Sequence, residues 1–188
     1  MAFPIRALAV LIVGLACAAA PQAPARRDSA NPGPRRTNGN ALIDRYRAEL
    51  TLSASSTWPG WPPANAVDGK LQTSWFSAQD DSVAHGRKTW FQVTFPENVT
   101  VRRVTVLGNR EPAWLEGFSI LSGGVELLDA DGKRLHYEET DGGGKFHDYD
   151  FVFGKPMLGV RSIRFTALGD QGKKTQYGDV AIGEFQVE

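Results

Sequence analysis

Residues 65–75 (NAVDGKLQTSW) carry oxygen donors of the kind that hold a hard metal ion. Asp68 supplies a carboxylate and Thr73 a hydroxyl. A chain that turns at the Asp-Gly pair can also point three carbonyls inward, those of Asn65, Lys70 and Thr73. Calcium takes about six to eight oxygen ligands and accepts carbonyls readily. The stretch therefore predicts half of a calcium shell, although an Asp-Gly pair is also ordinary turn punctuation.

The end of the chain, VAIGEFQVE (180–188), offers a second carboxylate. Its apolar residues change from one face of a strand to the other at Gly183-Glu184. A β-bulge explains this change, because one extra residue reverses the alternation of side chains. The bulge can turn the carboxylate of Glu184 out of the ladder and toward a cation shared with Asp68. Two carboxylates would match the charge of one Ca²⁺.

Two loop segments carry tryptophans that could contact a ligand. TWPGWPP (57–63) presents Trp58 on a segment stiffened by proline, which lowers the entropic cost of binding. GNREPAWLEG (108–117) presents Trp114. Each of these two rings is a candidate platform for a sugar, and partly buried packing is the alternative for both. Trp61 is assigned to packing.

Polar candidates lie in the second of these loops. Arg110 carries five N–H donors in a fixed fork, which suits the hydroxyls of a sugar. Glu111 adds an acceptor beside it. Trp58, Arg110, Glu111 and Trp114 are therefore the predicted ligand contacts. An ion pair of Arg110 with Glu111 or Glu116 is the alternative.

Composition and motifs argue against several functions. Lys+Arg and Asp+Glu both number 21, so no overall positive charge exists to attract nucleic acid. The three histidines have neither HExxH spacing nor cysteine partners, which argues against zinc. No G-x-S-x-G, P-loop or dinucleotide-binding motif occurs. A function without catalysis is predicted.

Residues 1–17 are predicted to be a signal peptide, in which Arg6 precedes the apolar run ALAVLIVGLA (7–16). The run is too short for a stable membrane span. VGLAC resembles a bacterial lipobox, which would make Cys17 an acylated N-terminus. Cleavage after the following alanines, with Cys17 discarded, is the alternative. The predicted location is an exported one: outer membrane lipoprotein, periplasmic or extracellular.

The rest of the chain divides into three parts. Residues 18–40 contain little to bury and are predicted to be a disordered linker. Residues 41–50 carry apolar positions at helical spacing and predict a short helix. Residues 51–188 contain eight or so short strands separated by turn signals, which predict an all-β sandwich or jelly roll. The segments with this pattern are 51–56, 89–95, 101–108, the hairpin 124–139, 148–153, 160–168 and 180–187.

Three segments together resemble a discoidin, or coagulation factor V/VIII C-type, domain. They are SASSTWPGWPPANAVDGKLQTSWFS, WFQVTFPENVTVRRVTV and VAIGEFQVE. Such domains are galactose-binding-domain-like jelly rolls, related to the family 32 carbohydrate-binding modules. The resemblance implies a structural calcium surrounded by Asp68, Thr73 and Glu184, and core positions for Trp75 and Trp90. Lys70 departs from the Asn or Asp frequent in relatives, so only its carbonyl could coordinate the metal.

The resemblance implies a binding module with its ligand loops at one end of the sandwich, close to the calcium. The predicted partner is a glycan or glycoconjugate, bound by a monomeric domain without catalysis. Membrane contact is expected only through an N-terminal lipid anchor. The alternative is an adhesive or structural envelope lipoprotein that binds protein or lipid through the same loops.

Overall fold

The computed structural model describes residues 40–188. The predicted signal peptide (1–17), the lipidation site at Cys17 and residues 18–39 lie outside the described residues. The one linker residue that is described, Asn40, is held against the end of the chain, because its Oδ1 accepts a hydrogen bond from the Val187 N–H at 3.1 Å. The linker prediction therefore extended at least one residue too far.

Helix α1 spans Ala41–Tyr46, four residues less than predicted. The N–H groups of Glu49 and Leu50 both donate to the Tyr46 carbonyl, at 2.8 and 3.0 Å. These bonds close a turn at residues 47–49, directly after the helix. Within residues 40–188, no helix is both long enough and apolar enough to cross a bilayer.

Seven strands occur in the described part of the chain, all of them in antiparallel pairs. They form a sheet in the order β2-β7-β3-β6-β4-β5, with β1 also paired to β3. The strands are β1 (Thr51–Ala54), β2 (Trp75–Phe76), β3 (Trp90–Gly108), β4 (Ile120–Leu128), β5 (Arg134–Asp141), β6 (Tyr149–Asp170) and β7 (Ala181–Val187).

The two longest strands, β3 and β6, each replace two predicted strands. Residues 90–94 of β3 pair with residues 162–166 of β6, and 103–106 pair with 149–152. Between these stretches the register shifts three times. Such irregularities bend a strand without ending it, so each long strand contributes to both layers of the sandwich. Residues 96–98, which separate the predicted strand segments 89–95 and 101–108, form one of these bends.

The sandwich interior is filled by alternating side chains, as predicted. In β3, Phe91, Val93 and Phe95 are buried, whereas Trp90, Gln92 and Thr94 are half-buried. Aliphatic and aromatic residues from α1 and from every other strand except β5 complete this main core. A second, smaller cluster is built on Phe76, Phe118 and Ala181, with Trp58, Trp61 and Tyr177 packed against it. The apolar interior is therefore divided in two.

Strand β7 contains the predicted bulge. Leu107 of β3 pairs with Glu184, but the adjacent Gly108 pairs with Ile182, which leaves Gly183 as the extra residue. A Cβ on Gly183 would lie 2.5 Å from the Gly108 carbonyl oxygen, so no larger residue fits here without a shift of the backbone. The bulge sets the direction of the Glu184 side chain, which comes next.

Candidate functional site

The loop of residues 65–75, which we call the Asp68 loop, closes around the carboxylate of Asp68. The Thr73 hydroxyl lies 3.0 Å from both of its oxygens and 3.0 Å from the Lys70 carbonyl oxygen. The Lys70 N–H donates to Asp68 Oδ1 at 2.8 Å. Gly69 has a φ of +81°, which permits the tight turn. Three of the predicted metal ligands therefore lie together.

Glu184 reaches the same loop from the far end of the sequence. Its side chain is 1% exposed, and the Gly69 N–H lies 3.2 Å from each carboxylate oxygen. The amide of Asn40 donates to Glu184 Oε1 at a longer 3.4 Å. The bulge in β7 thus brings a second carboxylate to the Asp68 loop.

Burial raises the pKa of Glu184 to about 8, against the lowering effect of the Gly69 N–H. The negative charge of Asp68 raises the pKa further, and Arg47 lowers it. The Lys70 ammonium lies 3.8 Å from Asp68 Oδ2. A buried carboxylate beside a second one favours binding of a proton or a cation.

The donor set of this cluster fits calcium better than a transition metal. Within residues 40–188, no three His, Cys, Asp or Glu side chains gather where a metal could bind. A cation here would therefore rely on Asp68, Glu184, the Thr73 hydroxyl and neutral oxygens such as the Lys70 carbonyl, which are hard ligands of the calcium type. Asn65 holds the loop, because its amide donates to the Ser74 carbonyl at 3.0 Å.

A pocket of about 160 Å³ opens beside the smaller apolar cluster, and we call it the aromatic pocket. Its lining consists of six aromatic side chains and one carboxylate. The lining residues are Trp58, Trp61, Phe76, Trp114, Phe118, Tyr177 and Asp179. Three loops supply most of them: the β1–β2 loop, the β3–β4 loop and the segment before β7.

The rings of the aromatic pocket hold one another in place. Tyr177 lies between Trp58 and Trp114, with centroid distances of 5.6 and 5.9 Å and edge-to-face geometry. Trp61 packs on Phe76 at 4.9 Å. Trp114 remains 41% exposed, so one wall of the pocket faces solvent. This mixture of fixed and exposed rings is typical of ligand sites.

Asp179 is the one acidic residue among the described residues that line the aromatic pocket. Its side chain is 3% exposed, and its Oδ1 is buried without a hydrogen-bond partner among the described residues. Burial raises the pKa of Asp179 to about 6; its own backbone N–H lowers the pKa and the charge of Asp80 raises it. An unpaired buried oxygen of this kind needs an explanation, and a bound ligand is one.

The predicted ligand contacts separate into two groups. Trp58 and Trp114 line the aromatic pocket. Trp61, which was predicted to pack, packs on Phe76 and also lines the pocket. Arg110 does not line it: its guanidinium donates to Asp148 Oδ2 at 2.6 Å and to the Gly108 carbonyl at 2.8 Å. The pairing of Arg110 with a carboxylate was foreseen, but its partner is neither Glu111 nor Glu116. Glu111 also lies outside the pocket lining.

Four residues of the pocket were missed: Phe76, Phe118, Tyr177 and Asp179. Tyr177 and Asp179 lie in GDQGKKTQYGD (169–179), which composition presents as a solvated loop tip. An aromatic and an acid on either side of a glycine, immediately before the strand that carries Glu184, is the signal that was available. Among the other tryptophans, Trp75 is fully buried as predicted, whereas Trp90 is only half-buried, with Arg164 4.9 Å above its ring.

Comparison with known proteins decides the family. The family model of the F5/8 type C domain matches residues 51–180. The chain belongs to this family. The resemblance to discoidin domains is therefore confirmed, and the antiparallel sandwich is that of a galactose-binding-domain-like jelly roll. No curated protein matches the sequence significantly.

Solved structures share the fold of this F5/8 type C domain at low identity. The family 32 carbohydrate-binding module of C. perfringens NanJ, in complex with galactose, is 20% identical with a TM-score of 0.60, covering 76% of this chain and 95% of its own. A mutant lectin-binding domain of lectinolysin complexed with Lewis b is 17% identical with a TM-score of 0.57, covering 74% of this chain and 91% of its own. Chitosan-binding module 1 of a chitosanase/glucanase from Paenibacillus sp. IK-5 is 22% identical with a TM-score of 0.53, covering 74% of this chain and 93% of its own.

Proposed function

We propose that this F5/8 type C domain is a non-catalytic carbohydrate-binding module whose ligand enters the aromatic pocket. The observation that carries the proposal is the group of aromatic rings around one buried carboxylate. Aromatic faces pack on the C–H patches of a sugar, and a carboxylate accepts hydrogen bonds from its hydroxyls. Two structures with this fold are complexes with galactose or Lewis b, and a third is described as a chitosan-binding module, which supports a glycan.

The Asp68 loop has a supporting role in this proposal. Calcium bound by Asp68, Thr73 and Glu184 would fix the Asp68 loop, which ends at Trp75. Phe76, which follows directly, lines the aromatic pocket and packs on Trp61. The metal would therefore hold the rings in position, and contact with the sugar would fall to the pocket residues.

We expect the substitution Trp114→Ala to weaken glycan binding by about tenfold or more, because it removes an exposed wall of the pocket. A glycan array probed with the purified protein would identify the ligand, and calorimetry would give the affinity of each variant. Leu135→Ala is the matched control, since Leu135 lies on β5, is 37% exposed and does not line the pocket.

The array also separates the sugar from the other partners considered. A folded protein that binds no glycan would contradict the proposal. Binding to lipid vesicles, reduced equally by Trp114→Ala and Leu115→Ala, would favour a lipid-binding function for the same loop.

We further propose that the protein is exported and anchored through an acylated Cys17. Metabolic labelling with palmitate in a bacterial host tests the anchor. We expect label on the wild type and none on Cys17→Ser, because the thiol is the acceptor of the lipid. Soluble, unlabelled export of the wild type would instead support cleavage after Cys17.

A further inference from the structure

Building on the proposed function, we propose that the aromatic pocket selects a sugar that carries a protonated amine, with the ammonium group bound by the carboxylate of Asp179.

Asp179 lacks the partners that other acids of this domain have. Asp148 and Asp150 are paired with arginines at 2.6 Å, and Glu184 receives the N–H of Gly69. Asp179 is more buried than Asp148 or Asp150, yet its Oδ1 has no partner in the described part of the chain. A buried polar group without a partner destabilises the fold, so a ligand that supplies the partner recovers this free energy on binding.

The charge of the pocket favours a cation over a neutral group. Among the described residues, those that line the pocket include no Lys, Arg or His, so Asp179 is not neutralised from within it. Burial is the main cause of the raised pKa of Asp179, and the negative charge of Asp80 makes only a smaller contribution in the same direction. Aromatic rings also attract cations through their negative faces. An ammonium group supplies three donors and a positive charge, whereas a hydroxyl supplies one donor.

The volume of the pocket limits the ligand to a small group. A cavity of about 150 Å³ holds one benzene molecule in another protein. The aromatic pocket, at about 160 Å³, therefore accommodates one six-membered ring. A single amino sugar residue, held at its amine by Asp179 and along its C–H face by the tryptophans, meets these limits.

The experiment compares two oligosaccharides that differ only at the nitrogen: a glucosamine tetramer and its N-acetylated counterpart. Binding is followed by calorimetry, or by the fluorescence of the pocket tryptophans, at a pH above the pKa of about 6 of Asp179 at which the free amine is still protonated. We expect the glucosamine tetramer to bind at least about tenfold more tightly. Asp179→Asn, which keeps the shape and removes the charge, should weaken its binding by about tenfold and leave the N-acetylated tetramer unaffected.

Asp80→Asn is the matched control. Asp80 has a φ of 58°, a conformation that asparagine tolerates, and its side chain is 58% exposed. This variant removes the same charge outside the pocket lining and should change affinity for the glucosamine tetramer by less than about threefold. An equal effect of Asp80→Asn and Asp179→Asn would overturn the proposal, because it would indicate a general field and not a contact.

The remaining outcomes separate this inference from the proposed function. The amine proposal would be overturned if the protein bound the N-acetylated tetramer more tightly, or only neutral sugars on the array, and if Asp179→Asn had the same affinity as the wild type. The carbohydrate-binding function would then still stand. Absence of binding to both tetramers and to every glycan of the array would overturn both. Both proposals are supported if Trp114→Ala loses binding of both tetramers and Asp179→Asn weakens binding of the glucosamine tetramer alone.

Discussion

Removal of calcium should lower the free energy of unfolding of this protein by about 3–4 kcal/mol, measured against a solution with calcium at 100 to 1,000 times its dissociation constant. The reason is mass action: a ligand that binds only the folded state stabilises it. For a chain of this length the loss corresponds to a fall in melting temperature of roughly 10 °C. Thermal unfolding with and without a chelator measures it.

Three variants show whether the effect comes from the Asp68 loop. Glu184→Gln keeps an oxygen that can accept the hydrogen bond of Gly69 but removes the charge, and Asp68→Asn does the same for the loop carboxylate. In both variants we expect the calcium dependence to disappear. Asp131→Asn is the control: it alters an acid in the exposed Asp-Ala-Asp-Gly hairpin turn and should keep the full response to chelator.

An unchanged melting temperature on chelation would contradict the calcium proposal. The structure contains the groups that would explain this result. Arg47 lowers the pKa of Glu184, and the Lys70 ammonium lies 3.8 Å from Asp68 Oδ2. These two cations would then neutralise the two carboxylates in place of a metal.

Asp179→Asn should stabilise the ligand-free protein at neutral pH by about 1–3 kcal/mol. Burial raises the pKa of Asp179 from 3.8 to about 6, so the folded state holds this proton more tightly than the unfolded state. Protonated Asp179 makes its full contribution to the free energy of unfolding below pH 3.8, and this contribution is lost as pH rises through about 6. An asparagine is neutral throughout and does not incur this loss.

Denaturant unfolding between about pH 4 and pH 7 tests this difference. We expect the wild type and Asp179→Asn to converge at the acidic end and to separate as pH rises, with a plateau above the pKa. Glu116→Gln, at an exposed acid of the β3–β4 loop, should follow the wild type across the range. Parallel profiles for Asp179→Asn and the wild type would show that Asp179 keeps an ordinary pKa in the folded protein.

The fold was largely predictable because its signals are local. Alternation in residues 89–95 identified the buried face of β3, and turn residues located the hairpin between β4 and β5. The pattern divided each of the long strands β3 and β6 into two, since bends at residues 94–103 interrupt the pattern without interrupting the hydrogen bonding to β6. A sequence pattern detects the change of face but not the continuity of the strand.

The candidate site was predictable only in part. Glu184 could be associated with Asp68 because the phase change at Gly183 marks the bulge, and the family resemblance supplied the pairing. Nothing local indicated that Arg110 is bound to Asp148, 38 residues further on, or that Asp179 is buried without a partner. Such properties depend on which loops meet at one end of the sandwich, and they follow from tertiary structure.

The division of the apolar interior into two clusters has a consequence for how this protein can change. The larger cluster fills the sandwich, whereas the smaller one carries the rings of the aromatic pocket. Substitutions at the rim, such as Trp58 or Trp114, leave the larger cluster intact, so ligand preference can diverge among descendants at little cost in folding. Phe76 is the exception. It belongs to the smaller cluster but directly follows Trp75 of the larger cluster in β2, so a substitution at Phe76 affects both ligand binding and folding.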